Sequence, residues 1–285
     1  MNSSKYFDHL VVFTAGIGMF LSTLDSGIIN VALPTLSKSF NVDISFITWS
    51  VTLYTLLLTG TIIIFGRLSD KYSRLNIYIF GLTIFLIASI LCGFSNDIIQ
   101  LIVFRGLQGI GAAMLQGTAT AIITTTIPEN RQGPALGTLS ILLGIGPVLG
   151  PSIGGLLISI GNWRWIFWIN IPIILIGLIG CLLLKKYITE QKSTSIHLDI
   201  RGNLLLFLSI FCLLISLTSW SYHSIFNISV YGNFLIFIVA FCLFIMWELK
   251  TNHPIIDLRL FKNMSFSSPI FAIFVFGGTT SLGFI

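Results

Sequence analysis

Long apolar runs separated by short polar segments make up most of the chain. An α-helix needs about 20 predominantly apolar residues to cross the hydrocarbon core of a bilayer. By this criterion the pattern predicts eight membrane-spanning helices and a ninth that continues to the last residue. The predicted spans are residues 9–33, 47–66, 76–95, 98–126, 135–159, 165–184, 203–221, 229–247 and 266–285. The pattern therefore predicts an all-α integral membrane protein.

Composition supports the membrane prediction and narrows the choice of partners. Only 9% of residues are charged and 55% are hydrophobic, which excludes a water-soluble domain of this length. The net charge of +5 would suit nucleic acid, but the basic residues occur in small groups between apolar runs, so no nucleic-acid partner is predicted. Cys92, Cys181, Cys212 and Cys242 all lie within apolar runs, so neither a disulfide nor a metal site is predicted.

The distribution of basic residues predicts the orientation. If the N-terminus is cytoplasmic, 12 of the 15 basic residues lie on the cytoplasmic side, and only Lys38 and Arg164 lie outside. Positive charge is enriched in cytoplasmic loops. We therefore expect a multi-pass membrane protein with a cytoplasmic N-terminus. The 12 residues are Lys5, Arg67, Lys71, Arg74, Arg131, Lys185, Lys186, Lys192, Arg201, Lys250, Arg259 and Lys262.

Two charges lie in the middle of predicted spans. Burying such a group in a membrane costs about 3 kcal/mol or more, so Asp25 and Arg105 indicate a functional site. At 1.5 Å per residue, Asp25 lies about 24 Å from the start of its span and Arg105 about 12 Å below the opposite end of its own, at similar depths. Both are candidates for proton coupling, because a carboxylate there can exchange a proton while a guanidinium stays charged. A permanent structural ion pair is the alternative.

Four further residues are candidates for a substrate cavity beside Asp25. Gln108 follows Arg105 by one helical turn and could hydrogen-bond to either charge. Asn30, Trp49 and Tyr54 complete the set. For Trp49, a place in the aromatic belt at the membrane interface is an open alternative.

Gly146, Gly150 and Gly154 recur at every fourth position of the fifth predicted helix, with Pro147 and Pro151 between them. Glycines at this spacing form a flat stripe on which another helix can pack closely, and the prolines permit a bend. The stripe predicts a close helix contact, either in a moving part or in static packing.

A short charged loop, GRLSDKYSRL, joins the second and third spans and contains Gly66, Asp70 and Arg74. We expect Asp70 near the start of the third helix, where a carboxylate favours the positive end of the helix dipole. A simple positive-inside turn is the alternative.

These segments together resemble the 14-helix drug:proton antiporter branch of the major facilitator superfamily. GRLSDKYSRL resembles its loop 2–3 motif and RGLQGIGAA its helix-4 motif. LDSGIINVALP is similar to the helix-1 motif, whose acidic residue is implicated in proton coupling. GPVLGPSIGG resembles the helix-5 antiporter motif, with its small residues in place: Gly146, Gly150, Pro151, Gly154 and Gly155. Ser73 departs from the loop motif, which usually has glycine there.

The resemblance implies the major facilitator fold and a division of the chain. Residues 1–184 correspond to an N-terminal six-helix bundle, 185–202 to a cytoplasmic linker and 203–247 to two inserted helices. Residues 248–285 correspond to a loop and the first helix of a C-terminal bundle. Because the rest of that bundle would follow, we expect the sequence to be part of a longer transporter.

The function implied is proton-driven export of amphipathic, often cationic drugs or dyes. The expected partners are these small molecules, protons and the lipid bilayer; a monomer with no metal and no cofactor other than the proton gradient is expected. The first alternative is a transporter of the same fold for an endogenous solute such as a peptide, siderophore or lipid precursor. A membrane enzyme and a non-transporting scaffold or sensor are further alternatives. An enzyme would need clustered acid, nucleophile or metal-binding groups, and the four histidines are scattered outside the hydrocarbon core.

Overall fold

A computed structural model describes residues 2–188, 199–222, 228–251 and 254–283. Residues 189–198, most of the predicted linker, and residues 284–285 of the ninth predicted span lie outside this part of the chain. The described residues form ten α-helices. They are α1 (Asn2–Phe40), α2 (Ile44–Tyr72), α3 (Arg74–Phe94), α4 (Ile98–Thr126), α5 (Glu129–Ile160), α6 (Trp165–Trp168), α7 (Asn170–Leu184), α8 (Ile200–Tyr222), α9 (Ile228–Lys250) and α10 (Met264–Gly283).

Eight helical segments among the described residues are long and apolar enough to cross a membrane. The prediction of an all-α, multi-pass membrane protein is therefore confirmed. Several helices extend beyond the predicted spans. With 39 residues, α1 is about 58 Å long, well over the roughly 30 Å of the hydrocarbon core. Its ends carry polar residues that remain helical outside the apolar run.

The sixth predicted span, Trp165–Leu184, is a single apolar segment that comprises α6 and α7. Ile169 lies between the two helices and keeps helical backbone angles, φ −60° and ψ −26°. Pro172 explains the boundary, because it lacks a backbone N–H and cannot bond to the carbonyl four residues earlier. That carbonyl belongs to Trp168, the last residue of α6. Asn170 is the first residue of α7.

Helix α1 is the centre of the bundle and contacts α2, α4, α5, α6 and α7. Its buried apolar residues contribute to both hydrophobic clusters of the core. Helix α3 is tied to α1 by the Tyr78 hydroxyl, which accepts a hydrogen bond from Gly18 N (2.8 Å) and donates one to Thr14 O (2.6 Å). Bonding to the backbone of a neighbouring helix fixes the relative position of the two helices.

Helices α1 and α5 contact each other at the predicted glycine stripe. A Cβ atom at Gly150 would lie 2.6 Å from Gly27 Cα, and one at Gly154 would lie 3.2 Å from Ile28 O. At Gly146 it would collide with the Thr23 side chain. At Gly155 it would meet no atom of the described residues within 4 Å. The stripe is thus a close contact between backbones, and its partner Gly27 was not singled out from the sequence.

We expect Gly150→Ala to destabilise the bundle by about 1–3 kcal/mol, because the obstacle is backbone and the two helices must separate. The measurement is the thermal midpoint of the purified protein in detergent micelles. Gly155→Ala is the matched control on the same helix: its Cβ has free space, and alanine favours a helix over glycine. Equal midpoints for the two variants would contradict a tight α1–α5 contact.

The loop between α2 and α3 is a single residue, and it corrects the expected position of Asp70. Helix α2 continues to Tyr72, so Asp70 lies in its last turn and not at the start of α3. Ser73 caps α3 instead: its hydroxyl accepts a hydrogen bond from Asn76 N at 3.1 Å. Ser73 has φ 133°, a region that favours glycine, so this side chain is held in strained backbone. Asp70 forms an ion pair with Arg74 across the turn at 2.5 Å.

Helices α8 and α9 pack together as a hairpin, and α8 packs on α2. Gly60 of α2 lies against the Phe207 ring, which occupies the space that a Cβ would need. Asn203 of α8 donates a hydrogen bond from Nδ2 to the carbonyl of Gly60 at 3.5 Å. These contacts attach the first of the two predicted inserted helices to the N-terminal bundle.

Candidate functional site

Asp25 lies in the interior of the bundle with its carboxylate fully occupied by hydrogen-bond donors. Its side chain is 2% exposed. Oδ2 forms an ion pair with Nη1 of Arg105. Oδ1 accepts hydrogen bonds from Nδ2 of Asn170 (2.9 Å) and Nε2 of Gln108 (3.1 Å). The carboxylate is therefore surrounded by one cation and two neutral hydrogen-bond donors.

Arg105 is the largest completely buried side chain among those described, with 0% exposure. Besides Asp25, its Nη1 contacts Oε1 of Gln108 at 2.6 Å, and Nε donates to the carbonyl of Ser50 at 3.5 Å. The guanidinium carbon lies 4.2 Å from the ring centroid of Tyr54. A cation over an aromatic ring in a desolvated site gains about 2 kcal/mol, so Tyr54 offsets part of the burial cost.

Gln108 joins the two charges, as its spacing from Arg105 predicts. Its Oε1 accepts from Arg105 while its Nε2 donates to Asp25 and to the Ser89 hydroxyl at 2.9 Å. The amide therefore presents an acceptor to the cation and donors to the anion. This polarity fixes the orientation of the Gln108 side chain and completes the network.

Five helices converge on this network. Asp25 comes from α1, Tyr54 from α2, Ser89 from α3, Arg105 and Gln108 from α4, and Asn170 from α7. All six side chains are buried. We refer to these six residues as the Asp25 network. Because it links helices across the bundle, a change of charge at Asp25 acts on all of them.

Sequence reasoning missed Asn170 and Ser89. Asn170 is 145 positions from Asp25 in the chain, and its amide reaches Asp25 because α7 packs on α1. The available signal was one amide side chain in the otherwise apolar segment WIFWINIP. Serine is common in transmembrane helices, where it bonds to its own backbone as Ser89 does to Phe85 O, so it gives no comparable signal.

Two of the proposed cavity residues lie away from the network. Asn30 is exposed on α1, and Trp49 is half-buried on α2. Neither is hydrogen-bonded to the six residues above. Tyr54 lies within the network, but its ring packs on Arg105 and its hydroxyl donates to Ser22 O at 3.0 Å. In this conformation Tyr54 is 1% exposed.

The Asp25 network consists of one ion pair and four neutral polar side chains. Among the residues described, no group of three or more His, Cys, Asp or Glu side chains converges to hold a metal ion. A buried, hydrogen-bonded ion pair between membrane-spanning helices is typical of proton and ion pathways. The class of protein defined by the helices and this site is a multi-pass membrane transporter.

The chain belongs to the Major Facilitator Superfamily, whose sequence profile matches residues 15–285. The riboflavin transporter RibZ of Clostridioides difficile is 40% identical over 201 residues, covering 70% of this chain and 43% of RibZ. The multidrug transporter protein MdtP of Bacillus subtilis is 34% identical over 203 residues, covering 71% and 37%. The multidrug resistance protein Stp of Mycobacterium tuberculosis is 34% identical over 203 residues, covering 70% and 37%. The chain spans less than half the length of these relatives.

A solved structure supports the fold. The inward-facing, unoccupied structure of a bacterial homologue of the human lysosomal transporter Spinster has a TM-score of 0.55 at 19% identity. The match covers 87% of this chain and 64% of that protein. The predicted major facilitator fold is therefore confirmed.

Proposed function

We propose that this protein is a proton-coupled multidrug efflux transporter that exports amphipathic, often cationic drugs and dyes by alternating access. The observation that carries the proposal is the ion pair of Asp25 and Arg105, fully buried where five helices meet. Two relatives that carry multidrug names, MdtP and Stp, support the substrate class.

The proposed coupling follows from charge balance. The ion pair is neutral while Asp25 is ionised, and protonation would leave the Arg105 guanidinium as an uncompensated buried charge. Such a charge is destabilising by several kcal/mol, so the protonated protein favours a conformation in which Arg105 gains water or another partner. A cationic substrate near Asp25 would favour the ionised form. Proton and substrate thus compete, which links their movements in opposite directions.

Arg105 is suited to stay in place during this exchange. It contacts Gln108, the Ser50 carbonyl and the Tyr54 ring in addition to Asp25. Protonation therefore weakens one interaction of the guanidinium while the other three persist. A proton entering down a membrane potential contributes about 2.3 kcal/mol per 100 mV.

In the proposed cycle, the α1–α5 contact and the α2–α3 turn serve the conformational change. The glycine stripe brings the helix that carries Asp25 against α5 without intervening side chains, so the two can move as one body or slide. Gly66 lies within α2, and Asp70 and Arg74 form an ion pair across the turn that follows this helix. We assign both motifs to switching between states.

We further propose the plasma membrane as the location, with a cytoplasmic N-terminus, a monomeric state and no cofactor besides the proton gradient. The proposed division is the bundle of residues 1–184, the linker 185–202, the inserted helices 203–247 and the beginning of a second bundle at 248–285. The packing of α8 and α9 as a separate hairpin on α2 supports this division.

The test is expression in a bacterial strain that lacks its own major drug pumps. We expect increased resistance to several chemically unrelated cationic dyes and active ethidium efflux that stops when the pH gradient is collapsed. Asp25→Asn is the inactive control, matched in membrane abundance by immunoblot. Efflux that persists without a proton gradient would contradict the coupling.

A second candidate function is transport of an endogenous solute, and the 40% identity to RibZ favours riboflavin as the first compound to test. Growth of a riboflavin auxotroph on low external riboflavin measures uptake directly. Growth rescue without any change in dye resistance would favour this second function over multidrug efflux.

A further inference from the structure

A cavity of about 270 Å³ lies between α2 and α8, away from the Asp25 network. Apolar side chains form most of its wall, among them Ile64, Leu204, Phe207 and Ile255. Its polar lining includes Arg67 and Asn203. A largely apolar wall with a few polar groups is the composition of a binding site for an amphipathic molecule.

The cavity opens beside an exposed apolar surface of α8. Leu204 lines the cavity and is nevertheless 65% exposed. One turn further along, Leu208 is also exposed and apolar. Where such a surface borders the bilayer it contacts acyl chains, which are the most abundant apolar groups available to fill the opening.

The polar lining contains one unsatisfied group. Asn203 is 8% exposed, and its Oδ1 has no hydrogen-bond partner in the described part of the protein. The nearby Asp199 has both carboxylate oxygens occupied, by Gly202 N at 2.9 Å and by Trp247 Nε1 at 2.8 Å. A buried acceptor without a partner is unfavourable. A ligand with an O–H or N–H donor would remove this cost by bonding to Asn203 Oδ1.

Arg67 is the positively charged residue of the cavity lining. Its guanidinium donates to the backbone carbonyls of Pro254 and Ile255, which hold it at the cavity. A fixed guanidinium is a good partner for a phosphate. The cavity thus combines an apolar wall, the Arg67 cation, the Asp199 carboxylate and an unsatisfied acceptor.

We propose that the α2–α8 cavity binds a membrane phospholipid whose headgroup carries a hydrogen-bond donor. An acyl chain lies along Leu204 and Phe207, the phosphate faces Arg67, and the headgroup donor bonds to Asn203 Oδ1. The bound lipid occupies the joint between the N-terminal bundle and the α8–α9 hairpin. It is a structural ligand, distinct from anything transported.

The experiment uses the protein in nanodiscs that contain a small fraction of a phospholipid with a photoreactive diazirine in one acyl chain. Phosphatidylglycerol supplies O–H donors, phosphatidylethanolamine supplies N–H donors, and phosphatidylcholine has neither. Cross-linked peptides are identified by mass spectrometry. We expect cavity peptides of α2 and α8 to be labelled about fivefold more by the donor-bearing lipids than by phosphatidylcholine. The two donor-bearing probes show whether a hydroxyl or an amine is preferred.

Three variants separate the parts of the proposal. Leu204→Trp fills the cavity from an exposed position and should abolish the labelling, whereas Leu208→Trp, on the same helix outside the cavity, should not change it. Asn203→Leu removes the acceptor and should make the three lipids label equally.

Equal labelling by all three lipids in the unmodified protein, or labelling insensitive to Leu204→Trp, would overturn the proposal. Displacement of the lipid by a transported dye would assign the cavity to substrate instead. None of these measurements requires transport, so their failure is separate from failure of the proposed efflux function.

Discussion

We expect Asp25→Asn to abolish the proposed transport driven by a pH gradient, while the protein still inserts into the membrane. Asparagine has nearly the same shape as the protonated carboxyl group and cannot exchange a proton. It leaves the Arg105 guanidinium permanently without its counter-charge, which is the state that we assign to the protonated protein. We therefore expect the variant to stay in the conformation that the protonated protein favours. Proton-driven efflux should fall to the background of empty vesicles.

The measurement is substrate-evoked proton movement in proteoliposomes with a pH-sensitive dye inside. Phe13→Leu is the matched control, because Phe13 lies on the same helix, is 54% exposed and belongs to none of the proposed sites. The double variant Asp25→Asn with Arg105→Gln removes both buried charges and tests folding separately. We expect the double variant to be as thermally stable as the unmodified protein and as inactive in transport as Asp25→Asn. Proton movement with unchanged stoichiometry in Asp25→Asn would show that the coupling carboxylate lies elsewhere.

The central ion pair could be predicted from sequence because the evidence for each charge lies within a single helix and rests on the cost of burying that charge. A charge within an apolar run stands out, and helical rise alone placed Asp25 and Arg105 at similar depths. Gln108 followed from the spacing of one turn. The glycine stripe was predicted in the same way, since glycines four residues apart on a helix share one face. Each of these predictions needs only one helix and its periodicity.

The remaining features depend on contacts between distant segments or on the position of a helix end. Asn170 is neutral, so burying it costs less than burying a charge and does not mark it as a functional residue in the sequence. Its hydrogen bond to Asp25 forms only when α7 packs on α1. Asp70 was placed at the start of α3 because the apolar run of α2 ends several residues earlier. The helix continues through these polar residues until the strained backbone of Ser73 ends it. Hydropathy predicts where a helix is apolar and does not predict where it stops.

Removing the cation should have a large effect on stability. Arg105→Met retains a long side chain with no charge, and it leaves the Asp25 carboxylate buried with only two neutral donors. Breaking a buried ion pair from one side costs about 3–5 kcal/mol. For a protein of this size we expect the thermal midpoint in detergent to fall by roughly 10 °C at neutral pH. Arg105→Lys keeps the charge and should lose less, although an ammonium cannot reproduce the forked contacts to Asp25, Gln108 and Ser50.

A second substitution distinguishes a charge effect from simple loss of packing. Adding Asp25→Asn to Arg105→Met removes the unpaired anion and should restore most of the lost stability. If the double variant is no more stable than Arg105→Met alone, the two side chains contribute independently, and the ion pair is not the interaction that holds the five helices around Asp25.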